Sequence, residues 1–185
     1  MLILDLCGGT GAWSEPYRAA GYDVRVIDPI AGGGDVRTFE HVGEDVHGIL
    51  AAPPCTEFAS SGARWWAGKP PKLLAEALAV VDACLGIIET CKPAWWALEN
   101  PIGRLRRLRL GRLGQPRLIF DPCDYGDPWR KRTLLWGEFT LPISDPVLGF
   151  GWWGFRELGG KSERTKRMRS ITPSGFARAF FDANP

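Results

Sequence analysis

The chain has 185 residues, 45% of them apolar and 24% charged, and a net charge of +2. That length fits a single domain, 1–185, with a sizeable core, and the composition is that of an ordinary globule rather than a disordered or fibrous chain. No apolar run is long enough to span a membrane, and the five cysteines are scattered with no Cys-x-x-Cys pair, which argues against a metal site or a disulfide framework and predicts a reducing cytoplasm.

In chain order, "LILDL" (2–6) is a short apolar run ending in a glycine-rich turn. Met1 stands directly before it, which predicts no leader. "AWSEPYRAAG" (12–21) reads as a helix closed by Gly21, and "DVRVID" (23–28) as a second strand ending in an acid. "IAGGGD" (30–35) reads as a flexible loop and "VHGILAA" (46–52) as a third strand. "PKLLAEALAVVDACLGIIETC" (71–91) is an amphipathic to buried helix stopped by Pro93. "AWWALEN" (94–100) is a fourth strand ended by Pro101, and "RLIF" (117–120) and "RTLLWG" (132–137) are later ones. "PSGFARAFFDAN" (173–184) is the last helix, with Pro173 near its start. This alternation predicts an α/β fold with a mostly parallel sheet and helices on both faces. Ligands of such sheets bind beyond the carboxyl ends of the strands.

Four suggestive features fall at those ends: the turn 8–11, Asp28, Cys55 and Glu99. "DLCGGTGAW" (5–13) is a strand, a glycine turn and a helix start, and glycines let backbone approach a ligand closely. With Asp28 after the next strand, it fits a nucleoside whose ribose hydroxyls donate to the acid; Asp35 could meet the base amino group. A tight turn with a surface acid is the plainer alternative. "PPCTEF" supplies a thiol, which attacks as the thiolate and so needs activation. "ALENP" supplies Glu99, which if buried could hand a proton to a ring nitrogen. Alone, each reads as a core cysteine or a capping glutamate; together, at adjacent strand ends, they read as a site. The charge is also uneven. Residues 104–132 carry nine arginines and lysines against three aspartates, a local +6, and "KSERTKRMRS" (161–170) is a second basic run. Such clusters suit a nucleic acid or form a solvated arginine face.

The ordered set "DLCGGTGAW", "VID", "GDV", "PPCTEF", "ENP", "PWRKRTLLW" and "RSITPSGFARAF" resembles the DNA cytosine-5 methyltransferases, especially short phage-type members. The resemblance implies a Rossmann-like fold and S-adenosylmethionine as cofactor. It implies cofactor contacts from Asp5, Leu6, Cys7, Gly9, Gly11, Trp13, Asp28, Pro29, Asp35 and Pro53. Cys55 matches the nucleophile that adds to C6 of cytosine, and Glu99 the acid that contacts N3 and the exocyclic amine. Lys131 and Arg132 resemble the family's basic pair, one member of which steadies O2; Lys131 stands in place of the first arginine. Thr56 and Ala59 replace a glutamine and a serine after the nucleophile.

The target base must leave the duplex to reach Cys55. The loop after it could close over the base, with Ser60, Ser61, Arg64, Trp65, Trp66 and Lys69 on the nucleic acid, and Arg104, Arg106 and Arg130 beside them. The family's recognition domain is missing: 138–160 holds only a short insert, whose "GFGWWGF" is a stacking wedge or a packed loop. A short or degenerate target is therefore expected, or a separate specificity subunit. RNA as substrate and an inactive nucleic-acid-binding homologue are the alternatives.

Overall fold

Five consecutive buried residues make β1 (Leu2–Leu6) a central strand, since strands covered on both faces read as unbroken apolar runs. The computed structural model describes residues 1–40, 43, 45–147 and 163–185. Around β1 lie β2 (Asp23–Ile27), β3 (Val46–Ala51), β4 (Trp95–Pro101), β5 (Leu118–Phe120) and β6 (Thr133–Glu138), in the order β2-β1-β3-β4-β6-β5. The first four pair in parallel; β6 pairs antiparallel with both β4 and β5 and is the one reversed strand among those described.

Helices cover both faces. Leu2, Leu4 and Leu6 share one face with Ile49, Leu98 and Trp136, under Val81, Cys84, Leu85 and Ile88 of α2 (Pro71–Cys91). Ile3, on the opposite side of β1 by the two-residue period, packs with Leu50, Ala97 and Leu135. That face is closed by Tyr17 of α1 (Glu15–Ala19) and by Phe176 and Phe180 of the final helix. Full burial of each phenylalanine contributes about 1.5–3 kcal/mol, which fixes the chain's last helix to the sheet. Two short helices, α3 (Leu105–Leu108) and α4 (Leu110–Leu113), follow β4, and α5 (Glu163–Ser170) and α6 (Ser174–Ala183) close the chain. The result is a single Rossmann-like α/β domain.

Most elements stand where the sequence places them, α2 to the residue. Its stop combines two effects: Pro93 disfavours helical geometry at Lys92, which sits left-handed at φ 47°. Four details differ. The first helix is only Glu15–Ala19, with Ser14 as its N-cap: the Ser14 carbonyl accepts from the Tyr17 and Arg18 amides while its hydroxyl donates to Asp5. Pro101 is the last paired residue of β4, opposite Thr133, rather than lying outside the strand. The arginine-rich stretch forms α3 and α4. The "IAGGGD" segment is a tight turn, with the Ala31 and Gly33 amides donating to the Asp28 carbonyl, and a Cβ on Gly33 would lie 1.8 Å from the Val26 carbonyl oxygen. The aromatic stretch 149–155 lies outside the described residues.

Candidate active site

The glycine turn begins where β1 runs out. Cys7, Gly9 and Gly11 all adopt positive φ (57°, 55° and 71°). A Cβ on Gly8 would lie 2.3 Å from the Asp5 carboxyl carbon, so only glycine lets the turn fold over that carboxylate. Asp5 is fully buried; its Oδ2 accepts from Ser14 Oγ at 2.5 Å, and its Oδ1 has no partner. Burial pushes its carboxyl up to about 6, against the pull of the Ser14 hydrogen bond and the Arg18 charge. Asp28 accepts from the Gly9 amide (3.0 Å) and the Ile30 amide (2.7 Å), which ties the end of β2 to the turn. Each carboxylate oxygen of Asp28 keeps a lone pair for a further donor. An orphaned buried carboxylate oxygen beside a close-approach glycine and a second carboxylate fits a cationic, donor-rich nucleoside, as S-adenosylmethionine is.

The other residues expected at the cofactor have these surroundings. Trp13 is 2% exposed and packs against Phe176 and Phe180, its ring centroid 5.9 and 5.5 Å from theirs, so it belongs to the core. Asp35 is held well down by Arg37, whose backbone amide and guanidinium both donate to it. Cys7 Sγ lies 4.0 Å from Cys84 Sγ on α2. Leu6 is buried, Pro29 exposed, and the Pro53 carbonyl accepts from Asn100.

Asp5 makes a pH prediction whose sign follows from burial. Between its ordinary 3.8 and about 6, the folded chain keeps a proton that the unfolded chain has lost. Stability from this group is full below pH 3.8 and is lost as pH rises through 6, about 3 kcal/mol in all. A cation needs the ionised form, so its affinity runs the opposite way, falling about tenfold per unit below pH 6. Calorimetric titration with S-adenosylmethionine from pH 5 to 8 should show that fall in wild type and none in Asp5→Asn. A flat wild-type profile would remove Asp5 from the site.

The thiol lies on the neighbouring strand. The Ala52 amide donates to the Leu6 carbonyl, so β3 ends beside the glycine turn, and Pro53 and Pro54 lead to Cys55. The Cys55 carbonyl accepts from the Phe58 and Ala59 amides. One strand further on, Asn100 Nδ2 donates to the Pro53 carbonyl at 2.9 Å, which locks the exits of β3 and β4 together. Because β6 is reversed, its start lies at the same sheet edge as the end of β4. Lys131 Nζ stands 3.6 Å from Glu99 Oε1 and donates to the Arg169 carbonyl at 3.1 Å. Arg132 turns away to Asp121 at 2.9 Å, so Lys131 is the member of the basic pair that reaches Glu99. Burial pushes the Cys55 thiol up, Glu99 adds to that, and Lys131 and Arg169 pull it back. Cys55, Glu99, Lys131 and Arg169 therefore share one electrostatic site. Arg169 is new to it; its one sequence signal was a place in the second basic run.

The loop after Cys55 is a 3-10 segment, Ser60–Gly68. Ser60, Ser61, Arg64 and Trp65 are exposed, with the Arg64 guanidinium 4.0 Å from the Trp65 ring centroid. Arg106 and Arg130 are exposed as well. Trp66 lies under Arg104 at 4.4 Å, and Lys69 donates to Glu57 at 2.6 Å. Lys69 and Arg104 thus engage a carboxylate that sequence reasoning passed over. Among the described residues there is no cluster of three or more His, Cys, Asp or Glu side chains able to hold a metal, and no helix long and apolar enough to cross a membrane.

No family model matches the chain, and no curated protein matches it. Among solved structures, it is similar to the crystal structure of a prophage-encoded protein (E. coli) to which a DNA modification methyltransferase activity is ascribed. The TM-score is 0.55 at 16% identity, over 80% of this chain and 52% of that one. At that identity the likeness is one of fold. The chain spans about half the length of that neighbour.

Proposed function

We propose that this chain methylates DNA at C5 of cytosine, with S-adenosylmethionine as methyl donor. The observation that carries the reading is the meeting of Cys55, Glu99 and Lys131 at adjacent strand ends, next to the turn built on Asp5, Gly9 and Asp28. The fold shared with a protein ascribed DNA modification agrees with it. When bound, S-adenosylmethionine supplies an electrophilic methyl group on a sulfonium. Asp5 and Asp28 would hold it, through a buried carboxylate for its cationic end and an acceptor for its hydroxyls.

The remaining chemistry belongs to the chain. Cys55 Sγ bonds to C6 of a flipped cytosine as the thiol proton passes through solvent to the Glu99 carboxylate. Glu99 donates a proton to N3, which draws the displaced electron pair into the ring and makes C5 nucleophilic. Lys131 holds positive charge beside both groups. Once C5 carries the methyl group its proton passes to water, the Sγ–C6 bond breaks with the bonding pair going to Cys55, and N3 returns its proton through Glu99 to the thiolate. At rest the raised thiol keeps Cys55 mostly protonated, so the nucleophile forms only as the base engages. With a short insert at 138–160, the target site is short or degenerate. Incubation with S-adenosylmethionine and either DNA or transfer RNA, followed by nucleoside analysis, tests the reading. Methylated deoxycytidine is expected; methyl transfer to transfer RNA alone would move the substrate to RNA.

A further inference from the structure

Glu57 follows the thiol by two residues, and its side chain is only 10% exposed. Its Oε1 accepts from Lys69 Nζ at 2.6 Å, which closes the 3-10 loop at its base. Its Oε2 lies 3.9 Å from Arg104 Nη2 and has no hydrogen bond. Its carbonyl accepts from Arg104 Nε at 2.6 Å. Arg104 also donates its amide to the Phe58 carbonyl and lays its guanidinium over Trp66. The backbones meet in the same place: Ala59 bridges Gly103, the Ser60 amide donates to the Ile102 carbonyl, and a Cβ on Gly103 would lie 1.9 Å from the Phe58 carbonyl oxygen. Residues 102–104 continue directly from Glu99, Asn100 and Pro101. Cys55 is therefore clamped to the exit of β4 on both sides, through Pro53 before it and Glu57 after it.

We propose that Glu57 is a positioning residue for Cys55: with Arg104 and Lys69 it fixes the loop after the thiol against the strand end that carries Glu99. A buried carboxylate holding two cations is costly to disturb, because loss of its charge leaves both unpaired. Lys69 and Arg104 are the two cations of this clamp. The proposal takes the role of Cys55 from the function proposed above. A misplacement of about 1 Å at a reacting atom can cost roughly 10²-fold in rate.

The test uses Glu57→Gln, which keeps shape and loses charge, and Arg104→Lys, which keeps charge and loses the Nε donor. Cys55 alkylation by iodoacetamide, followed peptide by peptide, should speed up at least threefold in both variants, with Cys91 on α2 as the unmoved control. Glu99 and not Glu57 is the carboxylate that shifts the thiol, so faster alkylation reports geometry. In the same preparations kcat for methyl transfer should fall at least tenfold, while the KM for S-adenosylmethionine holds and DNA binding by Glu57→Gln is equal or tighter. Unchanged Cys55 alkylation in both variants would overturn the clamp, as would faster alkylation with an unaltered kcat. If wild type transfers no methyl group yet alkylation still responds, the clamp stands and the proposed function fails.

Discussion

Cys55→Ala should abolish methyl transfer, a loss of roughly 10⁴-fold or more, while S-adenosylmethionine still binds. The physical reason is that no second thiol is placed to take over. Cys7 faces Cys84 across the β1–α2 packing, Cys123 is buried near Asp124, and Cys91 lies at the end of α2. Asp5 and Asp28 do not depend on the thiol, so cofactor affinity is the internal control. DNA containing 5-fluorocytosine gives a second readout. Fluorine at C5 cannot leave as a proton, so the Sγ–C6 bond formed by wild type persists as a covalent complex. Cys55→Ala should form none; a trapped complex in the variant would mean another nucleophile.

Glu99→Gln should lower kcat by about 10²–10⁴-fold, the usual worth of a positioned proton donor. An amide can still accept from the exocyclic amine but cannot protonate N3. It also ends the ion pair with Lys131 and removes the carboxylate that, after burial, does most to push the Cys55 thiol up. Two readouts should therefore move in opposite directions: Cys55 becomes easier to alkylate while transfer slows. A variant that merely loosened the fold would lose S-adenosylmethionine affinity as well. An unaltered rate would take Glu99 out of the mechanism.

The parts of this site legible in the sequence are those that sit at strand ends. Cys55 and Glu99 follow short apolar runs closed by prolines, and Asp5 and Gly9 follow another, so local pattern is enough to put them at one edge of a parallel sheet. Strand direction is a different matter. Nothing in the alternation of "RTLLWG" says that β6 runs backwards, yet the reversal is what brings Lys131 to Glu99. Long-range partners are equally hidden. Trp13 looks like an aromatic beside a ligand until Phe176 and Phe180, from the far end of the chain, bury it. Glu57 carries no signal of its own in the sequence; Arg104, 47 residues on, reaches its carbonyl. The helices α3 and α4 are four residues each, one turn, too short for a helical period to show.

The proline pair before Cys55 acquires a definite role from these contacts. Pro54 is exposed, whereas Pro53 is buried and offers its carbonyl to Asn100. The rigid corner is thus bonded to the strand that bears the acid, and the loop beyond it is bonded to the same strand end through Glu57.

The proposed reaction changes one carbon of one base, and chromatography with mass spectrometry of nucleosides reads that carbon directly. DNA incubated with the protein and S-adenosylmethionine carrying a deuterated methyl group should yield labelled 5-methyldeoxycytidine, with none from Cys55→Ala. Label in N4-methyldeoxycytidine or N6-methyldeoxyadenosine instead would contradict the account, because neither product needs a thiol adduct at C6.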